Sequence, residues 1–475
     1  MKKGESIELT IDSLAFGGEG VGKKDGLVVF VKGALPGQKI CAQIARKKKS
    51  HAKARLLSVI EESPFQVAPS CSHFEDCGGC SLQHYAYEKQ LEAKFLQVRE
   101  TLMHIGRFEN PPVELPCAAP AQIYYRNKME YTFGVSRWLP QHEIDANDDV
   151  DDKDFGLGLH VSGRFNKILQ IEACYLQSEL SNDIRNYISA FAKKSTFRPY
   201  TTQDHSGFWR FLVIREGKNT NETLVMLVTQ EAGASGTEEI SQLSEQLRSA
   251  FPEITTVVHA INTKKAQVAV GEKFNTLFGP GHIYDKIGSC IYRISPASFF
   301  QTNTLGAEVL YQQIAALSEL AGDEILYDLY CGAGTIGIYL SEMVKRVIGI
   351  EVIEDAVKDA KENATLNGRD NCHFLCGDLK EHMEQVHTII HKHGAPDVIV
   401  LDPPRAGLHP DVIKHILALK TPKIIYVSCN PATFSRDVQL FHEGGYQLDI
   451  CQPVDMFPHT AHIELVSRLT LLDNS

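Results

Sequence analysis

A chain of 475 residues, 43% hydrophobic and 23% charged, is too long for one core and too mixed for a fibrous or disordered polymer, so about two to four domains are expected. No apolar run reaches the roughly 18 residues of a membrane span, and Met1-Lys2-Lys3-Gly4 leads into alternating residues rather than a secretory apolar stretch, so a cytoplasmic location with no membrane partner is expected. The formal charge of -11 speaks against nucleic acid until its distribution is considered: residues 1–60 carry 12 Lys or Arg against 5 Asp or Glu, a basic module on an acidic body.

In chain order, residues 5–60 alternate apolar and polar in short runs (Ile7, Leu9, Ile11; Leu27 to Val31; Ile40, Ala42, Ile44) punctuated by Gly17, Gly18 and Gly20. That pattern predicts a small OB-like β-barrel. The run Arg46-Lys47-Lys48-Lys49 suits an RNA grip or a solvated loop. Next, Cys71, Cys77 and Cys80 stand in a C-x5-C-x2-C spacing with glycines between them. Twelve cysteines in a reducing compartment point to metal or chemistry rather than disulfides, and Cys174 is the best candidate for a fourth ligand. Four thiolates suit a 4Fe-4S cluster or a structural zinc, and a fully ligated cluster leaves no open iron for catalysis.

A helix is expected over residues 88–105 with Leu91, Phe95, Val98 and Leu102 on one face. From Tyr124 to Ala269 strands dominate, interrupted by an acidic insertion from Glu143 to Asp154 that reads as a solvated loop. Tyr125-Arg126-Asn127-Lys128 opens a strand with two cations that could touch phosphate. From about residue 296 strands alternate with helices, the signature of a doubly wound parallel sheet. The expected division is therefore a barrel over 1–60, a central β-rich domain over 61–295, and a Rossmann-like domain over 296–475.

Asp328-Leu329-Tyr330-Cys331-Gly332-Ala333-Gly334-Thr335-Ile336-Gly337 contains G-x-G-x-x-G, and Glu351 ends the following strand. A nicotinamide dehydrogenase fits those letters. Asp328 at the strand end would repel a pyrophosphate but suits the ammonium of S-adenosylmethionine, with Glu351 accepting the ribose hydroxyls, so a methyltransferase fits them better. Asp402-Pro403-Pro404 puts a carboxylate at a later strand end, followed by Arg405 rather than the aromatic residue usual in amino-methylating enzymes. The apolar run Ile424 to Val427 then stops at Ser428-Cys429-Asn430-Pro431, delivering a thiol to the same sheet edge. Cysteine, a carboxylate near the base and a general base are the parts that methylation at C5 of uracil requires, and Glu464 is the candidate base.

Together with Ser298-Phe299-Phe300-Gln301-Thr302-Asn303 and His462-Ile463-Glu464, these motifs resemble the RNA uracil-C5 methyltransferases over nearly the whole chain, and the N-terminal module resembles that family's TRAM domain. The resemblance implies Cys429 as nucleophile and Glu464 as base. It implies Gln301, Tyr330, Thr335, Glu351, Asp378 and Asp402 around S-adenosylmethionine, and Cys71, Cys77, Cys80 and Cys174 around a 4Fe-4S cluster. Phe299 could stack on a flipped base. The implied substrate is RNA, 23S ribosomal RNA ahead of transfer RNA, and a monomer is expected. A non-catalytic iron-sulfur RNA-binding protein is the reading from another class, and the intact Cys429 and Glu464 speak against it.

Overall fold

The alternation over the first sixty residues closes into a barrel. In the computed structural model, which describes residues 1–145, 153–379, 381 and 386–472, five strands (Ser6–Leu14, Glu19–Lys24, Leu27–Lys32, Lys39–Lys47 and His51–Glu61) pair around a closed ring. Closure leaves no sheet edge unpaired. Ile7, Leu9, Ile11, Val29, Val31, Ile40 and Ala42 fill its interior, while Arg46 to Ser50 stay exposed at the end of the fourth strand and in the turn to the fifth.

The central region is a seven-stranded sheet in the order Lys273–Phe278, Ile254–Ile261, Glu222–Thr229, Trp209–Gly217, Lys128–Gly134, Gly156–Val161, Arg164–Gln170. Every residue of Trp209–Gly217 is buried, as an innermost strand covered on both faces should be. Leu212, Ile214, Val225, Leu227 and Val257 pack under two helices, Glu179–Lys194 and Gly233–Ala250. The opposite face, with Phe211, Val213, Leu224, Met226 and Val258, joins the core of the C-terminal domain. The expected β-rich region is thus a mixed sheet backed by helices. Their apolar period is present at Ile184, Ile188 and Ala192 and at Ile240, Leu243 and Leu247, but it lies between strong strand signals. Of the acidic insertion, Gln141–Asp145 forms a short helix and Glu143 pairs with Arg137 (2.6 Å); residues 146–152 lie outside the described residues.

The C-terminal sheet runs Cys372–Cys376, Arg346–Glu351, Ile325–Leu329, Val398–Leu401, Lys423–Ser428, Glu464–Leu471, Tyr446–Val454. The first five strands are parallel and the last two form an antiparallel hairpin. Strand order reverses beside Ile325–Leu329, which opens a crevice at the carboxyl edge of the sheet.

The helix Tyr87–His104 forms as expected, and the face it buries overlaps the expected one only in part. Gln90, Ala93, Lys94, Gln97, Val98 and Leu102 are buried, while Leu91 and Phe95 are only half-buried. Val98 and Leu102 enter the C-terminal core; the polar members of the stripe reach hydrogen-bond partners on neighbouring segments, such as the Leu14 carbonyl for Gln97 (3.1 Å). Tertiary partners, rather than hydrophobicity, choose that face.

Candidate active site

Lys423–Ser428 and Glu464–Leu471 are antiparallel neighbours whose final pair is Ser428 with Leu465. Cys429 is the first residue past Ser428, and Glu464 opens its strand one residue before Leu465, so the register itself sets thiol beside carboxyl. Val398–Leu401 lies on the far side of the thiol strand, Leu401 opposite Tyr426, and places Asp402 at the same edge. Asn430 caps the helix Pro431–Glu443 by accepting from the Ala432 N–H (3.1 Å), and its amide donates to the Arg405 carbonyl (3.0 Å). The Asp-Pro-Pro-Arg turn and the cysteine turn are therefore tied together.

Burial dominates the electrostatics here. It pushes the Glu464 carboxyl up to about 8, with the Asp402 charge adding and the Arg405 charge opposing. It pushes Asp402 up to about 7 and the Cys429 thiol up to about 11, where the Glu464 charge again adds and Arg405 again opposes. Two carboxyls near neutrality facing a thiol are what an acid-base and nucleophile pairing needs. Arg405 is the residue whose part the sequence reading missed: it favours the anionic form of both Cys429 and Glu464, and the Asp-Pro-Pro-Arg motif was the available signal.

At the strand reversal, Tyr330 takes a left-handed φ of 67° and Gly334 one of 75° as it opens the helix Thr335–Leu340. A side chain at Gly334 would place Cβ 2.7 Å from the Phe374 ring. Glu351 accepts from the N–H of Gly332 (3.1 Å) and Ile353 (3.0 Å), which turns its carboxylate toward the loop. The Thr335 hydroxyl accepts from Tyr311 (2.7 Å). Asp378 follows the strand Cys372–Cys376 and is exposed; burial pushes the Tyr330 phenol up to about 12, with the charges of Asp378, Asp437 and Glu351 adding. Gln301 comes from outside the sheet; its carbonyl accepts from Asn127 (2.8 Å), and Arg215 donates to the Ser298 carbonyl (2.5 Å). Phe299, in that braced segment, is 69% exposed, whereas Phe300 enters the core. Asp328 is fully buried; its Oδ2 accepts from the Gly337 N–H (2.9 Å) and so braces the loop from beneath, while its Oδ1 has no partner within the protein.

Cys71, Cys77, Cys80 and Cys174 line one cavity of about 290 Å³, walled by Met129, Leu159, Ile171 and Leu176. Burial pushes Cys77 up to about 12 and Cys80 up to about 11, with neighbouring cysteines adding. The Gly79 N–H donates to the Cys77 sulfur and the Gln83 amide to the Cys80 sulfur, both at 3.3 Å. Among the described residues no three His, Cys, Asp or Glu side chains converge closely enough for a single metal ion. Arg126 lies on the same cavity, and Lys128 is paired with Glu130 (2.5 Å).

Among the described residues no helix is long and apolar enough to cross a membrane. A family model described as tRNA (uracil-5-)-methyltransferase matches residues 220–471, and one for the TRAM domain matches residues 1–57. An uncharacterized RNA methyltransferase of Chlorobaculum tepidum is 41% identical over 469 residues, 98% of this chain and 96% of its own. One from Bacteroides thetaiotaomicron is 38% identical over 458 residues, 96% of this chain and 100% of its own. Among solved structures, the tRNA (uracil-54, C5)-methyltransferase of Pyrococcus abyssi in complex with S-adenosyl-L-homocysteine matches with a TM-score of 0.74 and 29% identity over 98% of this chain and 100% of its own. The thiol and carboxyl at one sheet edge, the glycine-rich crevice, the N-terminal barrel and these matches agree: the chain belongs to the S-adenosylmethionine-dependent RNA (uracil-C5) methyltransferases that carry a TRAM domain.

Proposed function

We propose that the enzyme forms 5-methyluridine in 23S ribosomal RNA through a covalent adduct between Cys429 and C6 of uracil. The observation that carries this is the register of the last two catalytic strands, which sets Cys429 beside Glu464. Cys429 releases its proton and adds to C6, and the electron pair moves through C5 onto O4. The C5 carbon so activated takes the methyl group that S-adenosylmethionine supplies. Glu464 removes the C5 proton, and the returning pair restores C5=C6 and expels the thiolate; one proton is released overall. Gln301, Tyr330, Thr335, Glu351 and Asp378 line the cofactor crevice in this reading, with Asp402 between cofactor and base, and Phe299 is exposed to stack on the flipped uracil. Cys429→Ala abolishes transfer and Glu464→Gln accumulates an RNA adduct resistant to denaturation; a fully active Cys429→Ala enzyme refutes the assignment.

Cys71, Cys77, Cys80 and Cys174 would hold a 4Fe-4S cluster. Support comes from four thiols on one apolar cavity with N–H donors aimed at two of the sulfurs, the outer contacts such clusters use. A cubane would need its four ligands spread wider than a single ion does. Preparation without oxygen should give a brown protein with about four irons; a colourless protein with one zinc refutes it. The cysteine set favours the ribosomal substrate. Transfer RNA is the second reading, favoured by the Pyrococcus structure and the substrate in its name. Mapping 5-methyluridine in both RNA fractions from a strain lacking the protein decides between them.

A further inference from the structure

The nine residues before Glu464 are held by parts of the chain far from them in sequence. Lys94, in the helix Tyr87–His104, places Nζ 2.7 Å from Asp455 Oδ1, and both side chains are almost wholly buried (1% and 0% exposed). The same Nζ donates to the Phe457 carbonyl (3.2 Å), and the Tyr87 hydroxyl donates to the other Asp455 oxygen (2.9 Å). Gln90, one turn on, accepts from the His459 N–H (2.9 Å), and the His459 carbonyl accepts from the N–H of Ser81 and Leu82 (2.9 Å each), directly after Cys80. His459 takes a left-handed φ of 63°.

A buried ion pair is a poor stabiliser, since apolar residues of equal volume would hold the fold as well or better. What it supplies is direction. Two oxygens of one carboxylate are each claimed by a different donor of one helix, so Asp455 has a single orientation. We propose that Lys94 and Tyr87 are positioning residues for the base: by fixing Asp455 they set the loop 455–463, and with it the approach of Glu464 to the C5 proton. The proposal rests on the reading of Glu464 as that base. The chemistry it affects is confined to one step. With the loop loosened, the C6–sulfur bond still forms and C5 still gains its methyl group, but the C5 proton is not removed, so the sulfur cannot leave.

The test uses the full-length protein, S-adenosylmethionine labelled in the methyl group, and undermodified total RNA from a strain lacking the protein. The readout is the ratio of label in denaturation-resistant protein–RNA adduct to label in free methylated RNA. Only molecules that have passed the addition step contribute, so a fraction of misfolded protein leaves the ratio unchanged. Glu464→Gln calibrates the trapped limit. Lys94→Met should raise the ratio about tenfold over wild type, in keeping with the cost of a small misplacement of a catalytic group, and Tyr87→Phe should raise it several-fold. If Lys94→Met yields no folded protein, Tyr87→Phe, which loses a single hydroxyl, decides alone. Wild-type ratios in both variants, with activity either retained or lost in proportion to folded protein, overturn the positioning role. No adduct in Glu464→Gln refutes the base assignment and the proposal with it, whereas adduct in Glu464→Gln alone refutes only the proposal.

Discussion

Glu464→Gln should stabilise the protein while disabling it, and the gain should depend on pH. Burial, reinforced by the Asp402 charge and partly offset by Arg405, lifts the Glu464 carboxyl from an ordinary value of 4.5 to about 8. Between those values the folded chain keeps a proton that the unfolded chain has released, so wild-type stability falls as pH rises. Below 4.5 both states are protonated and the penalty is absent. At pH 7 the carboxyl has been held about 2.5 units above its unfolded tendency, which at 1.36 kcal/mol per unit is about 3 kcal/mol. Glutamine has the same shape and no charge to desolvate. Urea denaturation of the two proteins at a series of pH values from 5 to 8.5 should therefore show the variant's advantage growing with pH and levelling once wild-type Glu464 ionises in the folded state. A difference that stays constant over that range refutes the burial argument. The result also places this site among those that give up stability for function.

Three further outcomes follow from single features. Gly334→Ala forces a side chain onto a φ of 75° and within 2.7 Å of the Phe374 ring, so S-adenosylmethionine affinity measured by calorimetry should fall at least tenfold, about 1.4 kcal/mol or more. Replacing Arg46, Lys48 and Lys49 together by alanine removes exposed cations from the barrel turn; RNA binding should weaken, and the slope of log affinity against log salt should shrink by about 2. Phe299→Ala should lower kcat/KM for RNA by roughly 10- to 100-fold, the worth of one stacked base, with S-adenosylmethionine binding unchanged.

How much could be read in advance differs between features. The thiol strand was legible because its signal is local: an apolar run from Ile424 to Val427 closed by Asn-Pro. The glycine-rich turn, the alternating barrel strands and the doubly wound order were legible for the same reason. The helices Glu179–Lys194 and Gly233–Ala250 were hidden among strands, though their periodicity stood in the residues. On Tyr87–His104 the period named the helix and two of its core residues, Val98 and Leu102, but not the polar stripe beside them, because Lys94 and Gln90 are buried by partners more than 350 residues away.

The sequence by itself determined the kind of chemistry, since residue type and local spacing decide which groups stand at strand ends and which turns the backbone can make. Only the tertiary structure decided how those groups behave. Which strand pairs with Lys423–Ser428, and therefore that Cys429 faces Glu464, is a long-range register. That Glu464 and Asp402 hold protons near neutrality, and that Asp328 accepts from the Gly337 N–H beneath the loop, follow from burial, neighbouring charge and the fold of the turn. Proton affinity belongs to an environment, and an environment exists only once the chain is folded.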